Sequence, residues 1–247
     1  GAITREVMRI VSEGTLGRIY GMHYLWMDHQ RWRVRDRMGW IYSKKEAGGG
    51  ILGHLFCHGL HRIRLIMGEV EEVAGYADVV SGAPIDVEDS VAMSIRFASG
   101  AVGSFYAGSY GPAVWGGPGS PVAEANKLLP HTFNVWGENG ALHANMSTGS
   151  LAMDMQHHGP MGMATEPEEA GKGKPRSSVR RWESTISDQG SANEDFLQGC
   201  LMAMRGEGKA PNSNEDGLRF LEFQHAFYRA SETGKSQRLS DLYSYAR

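Results

Sequence analysis

This sequence lacks the features that mark several large classes of protein. Its 247 residues include two cysteines, Cys57 and Cys200, without CxxC spacing, which argues against a disulfide framework and fits a reducing, cytoplasmic setting. No apolar run approaches the roughly 18 residues of a membrane span, and no basic-then-apolar segment opens the chain, so we expect neither a membrane span nor a signal peptide. The net charge is −3 with scattered basic residues, which is not typical of nucleic-acid binding.

The order of the expected elements indicates one α+β domain. Helical periodicity begins almost at the first residue and stops at Gly14, and capping residues predict two last helices that open at Ser191 and near Glu215. Stretches rich in β-branched and aromatic residues predict strands at 19–27, 70–80, 90–97, 101–109, 132–136 and 141–145. Asn139-Gly140 predicts a tight turn between the last two. We therefore predict an open, largely antiparallel sheet with helices packed on one face.

Three histidines lie at helical spacing in GGGILGHLFCHGLHRIRLIMG, residues 48–68. His54, His58 and His61 stand at i, i+4 and i+7, so in one continuous α-helix they share an arc of about 60°. The leucines and isoleucines of this helix fall on the opposite side and face the core. We therefore predict an imidazole row that faces solvent or a cleft, where groups titrating near neutrality can transfer protons.

Two loop segments carry further candidate binding residues. Trp32 and Arg33, with the neighbouring arginines, could line a pocket for an anionic substrate, because guanidinium groups suit carboxylates. They could equally form a solvated linker face whose stems pack on the fold. Lys127 and His131 border the strand predicted at 132–136, where a loop could close over a site, although an ordinary loop explains them as well.

Four segments together resemble the C-terminal domain of the Gfo/Idh/MocA family of NAD(P)-dependent oxidoreductases. They cover nearly the whole chain in the expected order: GGGILGHLFCHGLHRIRLIMGEVEEVAGY, EDSVAMSIRFASGAVGSF, FNVWGENGALHA and EDGLRFLEFQHAFYRASETGKSQRL. The resemblance implies that residues 1–247 form a single such domain. It also implies that NAD or NADP binds to an N-terminal Rossmann domain that this chain lacks, since no strand is followed by GxGxxG. We expect no cofactor on this chain itself.

The resemblance also implies a catalytic residue. His58 occupies the position of the family histidine that helps to move the substrate hydroxyl proton. The family has aspartates four residues before and three residues after it, and here those positions hold His54 and His61. We expect both to contact substrate, together with Trp32, Arg33 and Lys127. If charged, the two imidazoles would lower the basicity of His58 by like-charge repulsion.

The resulting hypothesis is the substrate-binding and oligomerisation domain of an NAD(P)-dependent oxidoreductase that acts on a hydroxyl or carbonyl of a sugar, polyol or cyclic diol. A homodimer or homotetramer is expected, because strands 90–97 and 101–109 carry apolar residues on both faces while the helices cover one. One alternative is a non-redox lyase, isomerase or hydratase that uses the three histidines, with or without a metal. We do not expect a metal, because no carboxylate lies nearby in sequence. A non-catalytic binding or assembly module is the other alternative.

Overall fold

The computed structural model describes residues 1–28, 39–109, 130–155, 182–183 and 188–245. The described strands are β1 Ile19–Met27, β2 Val70–Asp78, β3 Ser90–Phe97, β4 Val102–Gly108, β5 His131–Gly137, β6 Gly140–Asn145, β7 Ser150–Met155, β8 Trp182–Glu183 and β9 Gln237–Arg238. They form one sheet in the order β8, β7, β6, β5, β1, β4, β3, β2, β9. Every neighbouring pair is antiparallel except β1 and β4, which run parallel. The predicted open, largely antiparallel sheet is confirmed.

The described helices are α1 Ala2–Ser12, α2 Lys44–Ala47, α3 Ile51–His54, α4 Cys57–Met67, α5 Asp188–Met204 and α6 Asn214–Thr233, with 3₁₀ turns at Gly39–Tyr42 and Leu239–Tyr245. The helices that contribute to the core pack on one face of this sheet, as predicted. Apolar residues of α1, α4 and α6 share one core with the alternate residues of β3, which are Val91, Met93, Ile95 and Phe97. No helix in the described part of the chain has the length and apolarity needed to cross a bilayer.

The continuous helix predicted over residues 48–68 is wrong, because the chain breaks into α3 and α4. The amide of Phe56 bonds the carbonyl of Ile51, five residues back, and the amide of Gly59 bonds the carbonyl of Phe56, three residues back. This wider turn followed by a tighter one interrupts the regular ladder. It also carries the fully buried Phe56 ring into the core, 5.2 Å from the Trp26 ring between centroids. Tertiary packing of one aromatic residue therefore outweighs the local periodicity.

A buried carboxylate holds the start of α3. One oxygen of Glu88, which is 8% exposed, accepts a hydrogen bond from the Gly50 amide at 2.8 Å. The other oxygen accepts from the Leu52 amide at 3.0 Å and from the Tyr228 hydroxyl at 2.8 Å. The glycine run permits this approach, because a Cβ on Gly49 would collide with the Tyr228 hydroxyl. Glu88 thus satisfies amides at a helix N-terminus and ties that helix to α6.

Other predicted details hold in part. Ser213 and Asp216 form a capping box at the start of α6, close to the predicted start, whereas α5 begins at Asp188 and not at Ser191. The hairpin loop between β5 and β6 consists of residues 138–139, since Gly137 pairs with Gly140. Gly140 is required instead by β7, because a Cβ there would collide with the Asp154 carbonyl. The sequence analysis did not predict β7.

We expect Glu88→Gln to lower the free energy of unfolding by about 2 kcal/mol. A carboxamide presents a donor to one of the sites where the carboxylate accepted, which leaves a buried amide or hydroxyl unsatisfied. Urea denaturation measures the change, with Glu232→Gln as the control. Glu232 is exposed and pairs with Lys44 at 3.1 Å, so its replacement should change the unfolding free energy by less than about 0.5 kcal/mol. Equal effects of the two variants would contradict the anchoring role of Glu88.

Candidate functional site

The parallel pairing of β1 and β4 brings several chain segments to one edge of the sheet. Both strands end at this edge, where β5 begins. The Asp28 amide bonds the Gly108 carbonyl and the Met27 amide bonds the Pro130 carbonyl, each at 2.8 Å. The predicted site residues Trp32, Arg33 and Lys127 belong to segments 29–38 and 110–129, which follow β1 and precede β5 and lie outside the described residues.

The three histidines of the predicted row lie on two elements near this edge. His54 ends α3, and His58 and His61 belong to the first half of α4. His54 and His58 are at the surface, and His61 is half-buried. Although the His58 side chain reaches the surface, its partial burial lowers its pKa below the ordinary value, and the positive charges of Arg62, His61 and His54 lower it further. The repulsion expected from the two flanking histidines is present, but its effect on the pKa is smaller than the effects of burial and of Arg62. His58 is therefore mainly neutral at pH 7 and can accept a proton.

His61 has a different environment from His58. Its side chain hydrogen-bonds Asn212 and lies near the Asp216 carboxylate in the first turn of α6. Burial is the largest influence and lowers the pKa of His61, while Asp216 and Asn212 raise it in opposition. The structure therefore places His61 where α4 meets the segment that leads into α6.

A polar cluster that the sequence analysis did not predict lies between α4 and the sheet. The Tyr24 hydroxyl lies 2.9 Å from His131 Nε2, and Arg62 Nη1 donates to the same hydroxyl. Arg62 Nε donates to the Thr4 hydroxyl at 3.1 Å. The His131 ring stacks on Trp26 with 4.4 Å between centroids and 9° between planes. Side chains from α1, α4, β1 and β5 thus meet at one point.

The hydrogen bonds of this cluster define the protonation states of its members. Because Arg62 can only donate, the Tyr24 oxygen accepts from it and the Tyr24 hydrogen is free to point at His131 Nε2. Burial raises the pKa of Tyr24 to about 12 in spite of Arg62. Burial and the Arg62 charge hold the pKa of His131 well below its ordinary value. At neutral pH, Tyr24 and His131 are therefore uncharged and Arg62 carries the charge of the cluster.

The signals for this cluster are present in the sequence but separate. Arg62 stands four residues after His58, a helical neighbour on the same side of α4. Tyr24 and Trp26 alternate onto one face of β1, and His131 opens β5. Nothing in the sequence indicates that β5 lies beside β1, because that pairing joins residues more than a hundred positions apart. Only the sheet topology brings these side chains together.

Within the described residues, neither the triple glycine nor the histidine row has the arrangement of a cofactor or metal site. The triple glycine at 48–50 cannot hold a pyrophosphate as a dinucleotide loop does, because the Glu88 carboxylate already occupies the Gly50 and Leu52 amides. A negative group at that helix end also repels phosphate. Within the described ranges, no three His, Cys, Asp or Glu side chains converge as metal ligands would.

A cavity of about 1020 Å³ lies on the other side of the Glu88 anchor, beside α6 and the end of β2. Its lining includes Lys44, Glu88, His225 and Tyr228, but none of the three histidines of the predicted row. Its Glu88 and Tyr228 groups are already bonded to one another. Volume alone does not make this cavity reactive, and we place the candidate site at His58, where a proton acceptor and a cation are adjacent.

Comparison with known proteins identifies the family. The family model for the GFO/IDH/MocA C-terminal domain matches residues 4–143. Levoglucosan dehydrogenase of Pseudarthrobacter phenanthrenivorans is 29% identical over 118 residues, which are 39% of this chain and 30% of that protein. The 1,5-anhydro-D-fructose reductase of Ensifer adhaerens is 22% identical over 237 residues, which are 95% of this chain and 60% of that protein.

The fold agrees with this match. The solved structure of a levoglucosan dehydrogenase with NADH and levoglucosan has a TM-score of 0.73 at 19% identity, covering 94% of this chain and 62% of that one. This chain thus spans 60% or less of the length of the curated relatives it matches. The family model covers more than half of the chain, and the segments that carry the motifs fold as the resemblance implies. The chain therefore belongs to the Gfo/Idh/MocA family, through the C-terminal domain that defines its sheet.

Proposed function

We propose that this chain is the substrate-binding and oligomerisation domain of an NAD(P)-dependent oxidoreductase that interconverts a hydroxyl and a carbonyl group. The observation that carries the proposal is the environment of His58, which lies at the surface with a lowered pKa. The resemblance assigns to this residue the role of the family histidine. The relatives named above are a dehydrogenase and a reductase of sugars. We extend from them a substrate class for this chain: a sugar, a polyol or a cyclic diol.

His58 would act as the general acid–base. In oxidation, its neutral imidazole takes the proton of the substrate hydroxyl as the carbonyl forms. In reduction, the imidazolium returns that proton to the carbonyl oxygen. Since the pKa of His58 lies below the ordinary value, the neutral base predominates at pH 7 and the charged form is a stronger acid. His54, at the surface beside it, would contact substrate, as would Trp32, Arg33 and Lys127 from the two segments that adjoin this edge.

The nicotinamide cofactor, NAD or NADP, would be held outside the described residues of this chain. The Glu88 carboxylate at the glycine run excludes the one segment that superficially resembles a phosphate loop. We therefore propose that an N-terminal nucleotide-binding domain completes the active enzyme. In that arrangement, this domain supplies the substrate contacts and the proton transfer.

The sheet face opposite the helices is the proposed oligomer interface. Its described side chains include Tyr76, Val102 and Trp136, which are 74%, 52% and 45% exposed. The register places Val102 and Trp136 on the same face as His23. A shallow depression of about 750 Å³ on this face is lined by Val102 and Trp136, together with polar residues such as His23 and Ser104. Burying the exposed apolar side chains of this face against a second copy would favour a dimer or tetramer with sheet packed on sheet.

Replacing His58 by Asn should lower kcat in the cofactor-competent enzyme by about 10²-fold or more, because general acid–base groups contribute on that scale. NAD- and NADP-linked activity can be followed over a panel that begins with levoglucosan and 1,5-anhydro-D-fructose. His143→Asn is the matched control, since His143 lies on β6 on the opposite face of the sheet. Similar small effects of both substitutions would show that the catalytic role has been assigned to the wrong histidine.

Restoring carboxylates beside His58 should raise its pKa. In a His54→Asp, His61→Asp variant, two imidazoles that oppose protonation of His58 are replaced by carboxylates, which favour its imidazolium form. The titration midpoint of His58, read from imidazole NMR signals, should move to higher pH, and the acid limb of the oxidation rate should move with it. His225→Asp, at an exposed position of α6, should leave both unchanged. A midpoint that falls or stays constant would contradict the electrostatic account of the row.

Light scattering should find a dimer or tetramer at micromolar concentration. Val102→Glu should dissociate it, because a carboxylate on the open face would be buried without a partner. Leu197→Glu is a control of the same chemistry, since Leu197 is exposed on α5 and 61% accessible. A monomeric unmodified protein, or dissociation by Leu197→Glu alone, would exclude the sheet as the interface.

A further inference from the structure

Arg62 combines partial burial with a position beside the proposed catalytic histidine. It stands one helical turn after His58 on α4, and its charge acts on His58, Tyr24 and His131. Its guanidinium bonds the Thr4 and Tyr24 hydroxyls, and Nη1 lies 3.4 Å from His131 Nε2. All three partners are neutral groups, so the bonds orient the guanidinium without compensating its charge.

The described part of the chain gives Arg62 no carboxylate partner. The next arginine on the helix, Arg64, pairs with Glu69 at 2.7 Å and with Asp216 at 3.9 Å. No described carboxylate lies within 4.0 Å of Arg62. The buried carboxylate of Asp89, near the same edge, accepts instead from the Val80 and Ser81 amides. The Tyr24 and Trp26 rings, whose centroids lie 5.6 and 5.7 Å from the guanidinium carbon, attract the cation but carry no counter-charge. Burying an unpaired charge is costly, and the planar guanidinium suits a carboxylate or a phosphate.

One end of the guanidinium remains available. Nε and Nη1 are used within the cluster, whereas Nη2 forms no hydrogen bond to a described residue. Arg64 Nε is the only side-chain nitrogen or oxygen of the described residues that is both buried and unpartnered. Since Arg62 Nη2 also lacks a hydrogen bond but is not among the buried atoms, it is in contact with solvent. Its two N–H groups can therefore donate to a ligand next to His58.

We propose that Arg62 binds an anionic group of the substrate, a carboxylate or a phosphate, beside His58. This inference rests on the proposed function and deepens it, since it makes the substrate an acidic sugar or sugar derivative. Thr4 and Tyr24 hold the guanidinium in place, and the stacked His131 and Trp26 rings form the wall behind it. The bound anion also returns negative charge to a histidine row that lacks the family aspartates, so its binding raises the pKa of His58.

Calorimetric titration at constant ionic strength tests this inference with three probes: D-glucuronate, D-glucose 6-phosphate and D-glucose. At least one acidic sugar should bind about tenfold more tightly than glucose, the size of a charge-assisted hydrogen bond. Tighter binding of D-glucuronate would indicate a carboxylate site, and tighter binding of D-glucose 6-phosphate would indicate a phosphate site. The same ligand should raise the NMR titration midpoint of His58. Equal binding of all three probes, or no binding of either acidic sugar, overturns the inference.

Substitutions assign the effect to this side chain. Arg62→Gln should abolish the preference for the acidic sugar, and Arg62→Lys, which keeps the charge and loses the planar fork, should weaken it about threefold or more. Arg205→Gln, an exposed arginine after α5, should leave it unchanged. If Arg62→Gln does not fold by circular dichroism, Arg62→Lys decides. A preference that survives in the folded variants overturns the inference.

The calorimetric titrations measure ligand binding and do not require hydride transfer, so the anion site can be tested separately from the proposed oxidoreductase activity. Selective binding of an acidic sugar that depends on Arg62, in a protein without NAD- or NADP-linked activity, would support the anion site and contradict the oxidoreductase proposal. Turnover of neutral sugars that is unaffected by Arg62→Gln would support the oxidoreductase proposal and contradict the anion site.

Discussion

The parallel pairing of β1 with β4 is the constraint on which the rest of this structure depends. In an otherwise antiparallel sheet, it requires the chain to leave β1, cross the helical layer, and return through β2 and β3 before β4 can form. That crossover contains α3 and α4 and therefore the histidine row. Because both parallel strands end at the same edge, the segments that follow them adjoin the site. The crossover thus brings the histidine row close to the edge of the sheet where β1 and β4 end.

Two polar arrangements attach the crossover to its surroundings. Glu88 holds the first amides of α3 and the Tyr228 hydroxyl of α6, so the position of His54 depends on a carboxylate far from it in sequence. Arg62 attaches α4 to α1 and to β1. One anchor is negative and the other is positive. Between them the surface carries His58, whose pKa is lowered by burial first and by neighbouring positive charge second.

The charged groups that act on His58 are all positive. Where the resemblance leads one to expect aspartates, His54 and His61 stand, and Arg62 adds a charge that is permanent at physiological pH. Burial is the main cause of the lowered pKa of His58, and these cations add to it, since each makes protonation less favourable. A ligand that brings negative charge changes this balance directly. The family fold and the ligand preference of its site are therefore separate properties, which depend on different side chains.

The sequence by itself determined the strands from β1 to β6, the approximate start of α6 and the family, because alternation, capping residues and motif order are local signals. It could not determine the break at Phe56, which depends on a ring packing against Trp26. Nor could it bring Arg62 and His131 together, since their contact requires β5 to lie beside β1. Periodicity describes which face a side chain occupies within one element. Only tertiary structure decides what the neighbouring element places opposite that face.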